Sequence, residues 1–187
     1  LNMNSGIYGF RTGGTNLDTI RVFTRQEGDK IRYLASVRST ALNPEQVKET
    51  FSAAVYGNIY NDSLSTDLVF RDNKDNVGIK MGMVTLLMPK GLNISFKPDA
   101  ILMGDKFTFD RENFLNIGEK FAIDADITLT NSKDAGIHLY TNPDPESKYN
   151  ANLELFNVNL KDVTAMIPYA PDLAGMLNFD LHYRENA

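Results

Sequence analysis

The feature that most constrains this chain is a two-residue alternation of apolar and polar side chains that restarts after a turn roughly every ten residues. In an extended backbone successive side chains point to opposite faces, so such alternation marks strands with one face withdrawn from water. Residues 17–25 and 30–38 read as two strands joined at Gln26-Glu27-Gly28-Asp29, where glycine supplies a positive φ. Residues 51–60 place Phe51, Ala53, Val55 and Ile59 on one face and turn at Asn61-Asp62. Leu64, Thr66, Leu68 and Phe70 then alternate, a polar turn follows at 72–76, and Val77, Ile79, Met81 and Met83 resume the pattern. Further on come Leu92, Ile94 and Phe96, two short strands at 100–103 and 106–109, and a face of Phe121, Ile123, Ala125, Ile127 and Leu129. Ile137 and Leu139, then Tyr149 to Leu155 by alternate residues, then Leu177, Phe179, Leu181 and Tyr183 complete the series.

Three segments break the alternation. Residues 43–49 have an asparagine cap, a proline and early acid, which fits one helical turn or a loop. The Asn142-Pro143-Asp144-Pro145 stretch is a loop that its prolines keep from pairing. Leu160, Val163 and Ile167 stand at helical spacing before Pro168 and Pro171, which predicts a short helix. The expected fold is all-β: an elongated antiparallel meander curved lengthwise into a taco-like apolar groove, with one or two short helices. A closed β-sandwich is the alternative. The short connections and the absence of a bulky tryptophan favour the open form. Residues 1–187 are read as one β-rich domain with a module boundary near 160–176. The chain begins at Leu1 and stops straight after an alternating segment, so it reads as a piece of a longer protein.

Composition narrows the function. With 42% hydrophobic and 23% charged residues the chain can bury a core. A net charge of -5 without a basic run disfavours nucleic acid and anionic membrane surfaces. The absence of cysteine removes disulfides, thiolate metal sites and thiol nucleophiles. The longest apolar run, residues 81–88, is too short for a membrane helix, and no signal peptide is visible.

Catalytic chemistry has little support, and the expectation is a non-enzyme without cofactor or metal. His138 and His182 sit inside alternating strands, where a solvated side chain explains them better than a base. Asp124 and Asp126 share a strand face with Thr128 and Thr130, so an exposed polar face accounts for them more simply than an acid–base pair or a cation site. Asp72-Asn73-Lys74-Asp75-Asn76 lacks the late bidentate glutamate of a calcium loop and reads as a turn. Gly6, Gly9, Gly13 and Gly14 do not follow phosphate-loop spacing. Gly78, Gly82 and Gly104 mark bulges or tight curvature. Met81, Met83, Met88, Met103, Met166 and Met176 suit an adaptable apolar surface or a core gap-filler equally.

Several strings carry a resemblance: FSAAVYGNIYNDSLSTDLVFRD, GLNISFKPDAILMGDKFTF, FLNIGEKFAIDADITLTNSKDAGIHLY and LFNVNLKDVTAMIPYAPDLAGMLNFDLHY. They cover most of the chain and resemble TamB-like proteins of the AsmA-like group, in particular the Bacteroidetes type. The phrase formed by Pro171, Leu173, Gly175 and Leu177 is similar to that family's module boundaries. The resemblance implies an internal or C-terminal-half fragment of a periplasmic protein anchored in the inner membrane. It also implies a lengthwise β-groove serving assembly or secretion of outer-membrane proteins, transport of phospholipid between the membranes, or both. The implied partners are phospholipid acyl chains or nascent outer-membrane β-barrel proteins, and an Omp85-type partner engaged through the full-length chain.

By alternation, the groove-facing candidates are Leu68, Phe70, Ile79, Met81, Leu92, Ile94, Phe96, Ile123, Ile127, Leu129, Ile137, Leu139, Leu153, Leu155, Leu177, Phe179 and Leu181. The excised piece is also expected to dimerise through exposed strand edges. Two rival readings stand beside this one. A surface-protein binding module for glycan or protein would use aromatics such as Tyr56 and Tyr60, and a hydrolase would rest on Asp124 and Asp126.

Overall fold

The computed structural model describes every residue except 13–14, 42–49, 143–146, 165–170, 172 and 187. The described chain is all-β. Its strands are β1 (Asn2–Thr12), β2 (Thr15–Glu27), β3 (Lys30–Ser39), β4 (Ser52–Tyr60), β5 (Ser63–Arg71), β6 (Val77–Met88), β7 (Gly91–Phe96), β8 (Asp99–Leu102), β9 (Asp105–Phe109), β10 (Phe114–Ile117), β11 (Ile123–Asn131), β12 (Gly136–Thr141), β13 (Ser147–Asn159) and β14 (Met176–Asn186). They belong to one antiparallel sheet that does not close into a barrel, in the order β1-β2-β3-β4-β5-β6-β7-β10-β11-β12-β13-β14. Strand β8 pairs with β6 and β9, and β9 also pairs with β11. A single sheet stands in place of the two packed sheets of a sandwich. A short helix, α1 (Leu160–Thr164), starts where helical spacing predicts it. The segments expected to be irregular at 43–49 and 143–145 lie outside the described residues, as do residues 165–170 and 172 of the expected module boundary. The chain falls into two compact units, Leu1–Val84 and Thr85–Ala187.

In the first unit the hairpins form where their turn residues permit. Gly28 takes φ 61° between β2 and β3, and Asn61 takes φ 48° between β4 and β5, conformations open to glycine and tolerated by asparagine. Gly57 has a different task. Tyr33 lies opposite it in register, and the Tyr33 hydroxyl crosses it to meet Thr66 Oγ1 at 2.6 Å and to donate to the Ser65 carbonyl at 3.1 Å. A Cβ at Gly57 would stand 1.8 Å from that Ser65 oxygen and 2.8 Å from the Tyr33 hydroxyl. The missing side chain is what lets the tyrosine span the sheet face.

The second unit holds the best-buried cluster. Strands β9 and β10 lie end to end along one side of β11, with Phe107–Phe109 against Leu129–Asn131 and Phe114–Ile117 against Ile123–Asp126. The hairpin of β8 and β9 turns at Met103 and Gly104, both at positive φ. Its inner face closes the core of Ala100, Phe107, Phe109 and Leu129, against which Phe96, Leu102 and Ile127 pack. The Phe96 and Phe109 rings stack with centroids 4.7 Å apart.

The junction between β9 and β10 leaves ladder groups of Phe96 without a strand neighbour, and the buried side chain of Asn113 supplies one. Its Oδ1 accepts the Phe96 N–H at 2.6 Å, and its Nδ2 donates to the Phe96 carbonyl at 3.0 Å and to the Asp110 carbonyl. Asn113→Ala is expected to destabilise the chain by about 2–3 kcal/mol, since it strands a buried donor and acceptor at once. Denaturant unfolding of the variant beside the parent chain measures this, and an unchanged midpoint would refute it.

Two strands were not legible as such, β1 and β10, and one expectation fails locally. Phe121, expected on the apolar face of β11, lies in a 3₁₀ turn at Glu119–Phe121 with φ 62° and is largely exposed. The strand starts only at Ile123.

Candidate functional site: an apolar sheet face

Cross-strand register in the second unit aligns the apolar candidates into rows. Ile127 faces Leu139, Leu139 faces Leu153, and Leu153 faces Leu181. Beside this row, Leu129 faces Ile137, Ile137 faces Leu155, and Leu155 faces Phe179. Phe109 extends the second row on the β9 side of Leu129. Toward β7, Ile94 pairs with Leu115 and Leu92 with Ile117, and Ile117 pairs with Ile123. Leu177 follows on β14 opposite Val158, beyond a bulge at Leu155/Val158.

The face grades from interior to open. Leu129 is only 5% exposed and belongs to the core, and Phe96 and Ile127 pack against it. Ile137, Leu139, Leu153 and Leu155 are half-buried. Phe179 and Leu181 on β14 are 43% and 49% exposed, and Ile123 is 49% exposed. Apolar side chains aligned in rows but left this accessible form an exposed apolar patch rather than a sealed core.

The first unit carries a second apolar face of smaller side chains. Val22, Ala35, Val55 and Leu68 form one register row, and Ile20, Val37, Ala53 and Phe70 another. Ile20, Val22, Ala35, Val37, Ala53 and Val55 line a shallow apolar trough of about 240 Å³. Of the sequence candidates, Leu68 and Phe70 lie in these rows, and Ile79 and Met81 are half-buried on β6. The six trough residues were not on the candidate list. Alternation marks them, but alanine is a weak apolar signal, and only the register shows that Ala35 and Ala53 sit between valines.

The opposite face of the second unit is polar and acidic. Asp126 pairs with His138 at 3.0 Å, and the other ring nitrogen of His138 lies 3.6 Å from Glu154. Tyr140 donates to Glu154 at 2.9 Å, and this hydrogen bond to a carboxylate holds the phenol above its ordinary pKa. Asp124 accepts from the Thr141 hydroxyl at 3.0 Å. Asp124 and Asp126 thus point to separate partners. No group of three metal-ligating side chains forms among the described residues. His182 is exposed on β14. Tyr56 and Tyr60 are exposed on β4, four residues apart on one face.

Asp72 closes the polar turn after β5. It accepts from the Lys74 and Asn76 backbone N–H groups and from Asn76 Nδ2, and the Asn76 side-chain bond is the main reason its carboxyl is held below the ordinary value. Among the described residues no helix is long and apolar enough to cross a membrane. No protein-family model, curated protein or solved structure matches the chain.

Proposed function

We propose that the chain is a non-catalytic, TamB-like piece of the bacterial cell envelope whose apolar sheet face shields hydrophobic cargo. The cargo is a phospholipid acyl chain in transit between the membranes, or a nascent outer-membrane barrel strand during assembly or secretion. The observation that carries this reading is the pair of rows across β11–β14, which puts Leu139, Leu153, Leu155, Phe179 and Leu181 together on one accessible face. Periplasmic placement, and engagement of an Omp85-type partner by the full-length protein, rest on the family resemblance alone.

Magnitudes fit passage rather than storage. A row across four strands spans about 14 Å at ~4.8 Å per strand. Shielding about half the surface of ten methylenes contributes about 4 kcal/mol at ~0.8 kcal/mol each. That corresponds to millimolar affinity for one row, weak enough for cargo to move on. A barrel strand would gain in addition from the unpaired backbone groups at a sheet edge.

The test is titration with a phospholipid carrying an environment-sensitive fluorophore on its acyl chain, below its critical micelle concentration. Saturable enhancement, displaced by unlabelled phospholipid, is expected. No enhancement at protein concentrations up to the millimolar range would refute acyl binding.

A further inference from the structure

The polar face of the first unit divides its arginines into two groups. Arg25 and Arg32 both pair with Glu27, at 3.4 and 3.2 Å. Arg21 and Arg38 are exposed and have no ion-pair partner among the described residues. They line a depression of about 380 Å³ together with Arg71, Ser36 and Ser52. Register places Arg38 opposite Ser52 and Ser52 opposite Arg71, so two guanidinium groups flank one hydroxyl across three adjacent strands. The two Cα atoms are about 10 Å apart at that strand spacing, a gap that two arginine side chains close onto a ligand between them. Arg21 lies opposite Ser36, two residues along β3 from Arg38.

Two further details shape the depression. Arg71 is held in place, donating to the Asp75 carbonyl at 3.0 Å with its carboxylate 3.9 Å away, within the turn that Asp72 braces. The one carboxylate in the lining is Asp18, at the β2 bulge, and it already accepts from the Thr19 hydroxyl at 3.1 Å. Asp75 thus already pairs Arg71, and Arg21 and Arg38 are left as the guanidinium groups of the depression without an ion-pair partner among the described residues, in a chain whose overall charge is negative.

We propose that Arg21, Arg38 and Arg71, converging around Ser52, form a binding site for a phosphate group. Planar guanidinium forks meet phosphate oxygens in bidentate pairs, and the serine hydroxyls add neutral donors. This face is opposite the apolar rows of the same unit, because Arg21 and Ser36 alternate with Ile20 and Val37 along their strands. The phosphate belongs either to a soluble phosphomonoester or to a lipid headgroup presented at a membrane surface.

The experiment is a titration of the 187-residue chain with inorganic phosphate, followed by amide NMR, alongside flotation with phosphatidylglycerol and with phosphatidylcholine vesicles. Saturable shifts centred on Ser52 and Arg71 establish the soluble form. Flotation with phosphatidylglycerol alone establishes the headgroup form. In either case Arg38→Gln is expected to weaken binding at least tenfold, Arg38→Lys less, and Arg25→Gln hardly at all. Circular dichroism confirms that the exposed substitutions leave the sheet intact. Absence of binding in both arms, or equal loss in Arg25→Gln and Arg38→Gln, would overturn the proposal, the latter by showing diffuse attraction without a site.

Discussion

Phe109→Ala is expected to cost about 3–5 kcal/mol of folding stability, a large share of the ~5–15 kcal/mol that holds a domain folded. Phe109 is 4% exposed, stacks on Phe96, and touches the cluster that ties the β8–β9 hairpin to β11. Truncation removes the ring and leaves a cavity in the cluster it shares with Ala100, Phe107 and Leu129. The substitution also strikes a region of short ladders, those of β7 with β10, β10 with β11, β9 with β11 and β8 with β9 being only three or four residues long. Thermal or denaturant unfolding reads the loss. A cost under 1 kcal/mol would mean that the hairpin is not anchored by this cluster.

Leu181→Asp is expected to abolish acyl binding while leaving the fold in place. Leu181 is half-exposed on the outermost strand in the sheet order, so a carboxylate there stays hydrated and costs the fold little. It stands beside Leu153 in register, at the end of the Ile127–Leu139–Leu153 row, so any chain lying along that row must desolvate the charge or leave. A tenfold or greater loss of the fluorescent-lipid signal, with an unchanged unfolding midpoint, is the expected outcome. The same charge at Ile127 is a different experiment, because Ile127 packs against the buried Phe107–Phe109–Leu129 cluster and would take the fold with it. Retained binding in a folded Leu181→Asp chain would remove the β13–β14 face from the account.

Much of the sheet was legible from alternation because half-burial imposes a period of two. The strands from 17–25 to 177–183 and the hairpins at Gly28 and Asn61 follow directly from it. Strand β1 was not legible, because Ile7 and Phe10, three residues apart, fall on opposite phases and leave no run of alternation to read. Strand β10 was hidden by its length, four residues, and by the neighbouring Asn113, whose side-chain role depends on a partner seventeen residues away. Phe121 was misread because an aromatic residue two positions before a strand looks like its first apolar member, while its positive φ is invisible in sequence. The apolar candidates were found by face, but which of them are interior depends on packing. Leu129 and Leu181 have the same phase in their strands, yet one is core and the other is open. The arginine cluster depends on register across three strands, information that alternation within each strand does not contain.

The central claim is that acyl chains lie on the register-aligned apolar rows. The most direct measurement is photocrosslinking with a phospholipid carrying a diazirine midway along one acyl chain, followed by peptide mapping. The account predicts that label concentrates on Leu139, Leu153, Leu155, Phe179 and Leu181 and is competed by unlabelled phospholipid. Label confined to the Tyr56 and Tyr60 face, or to the acidic face around Asp126 and Glu154, would contradict it.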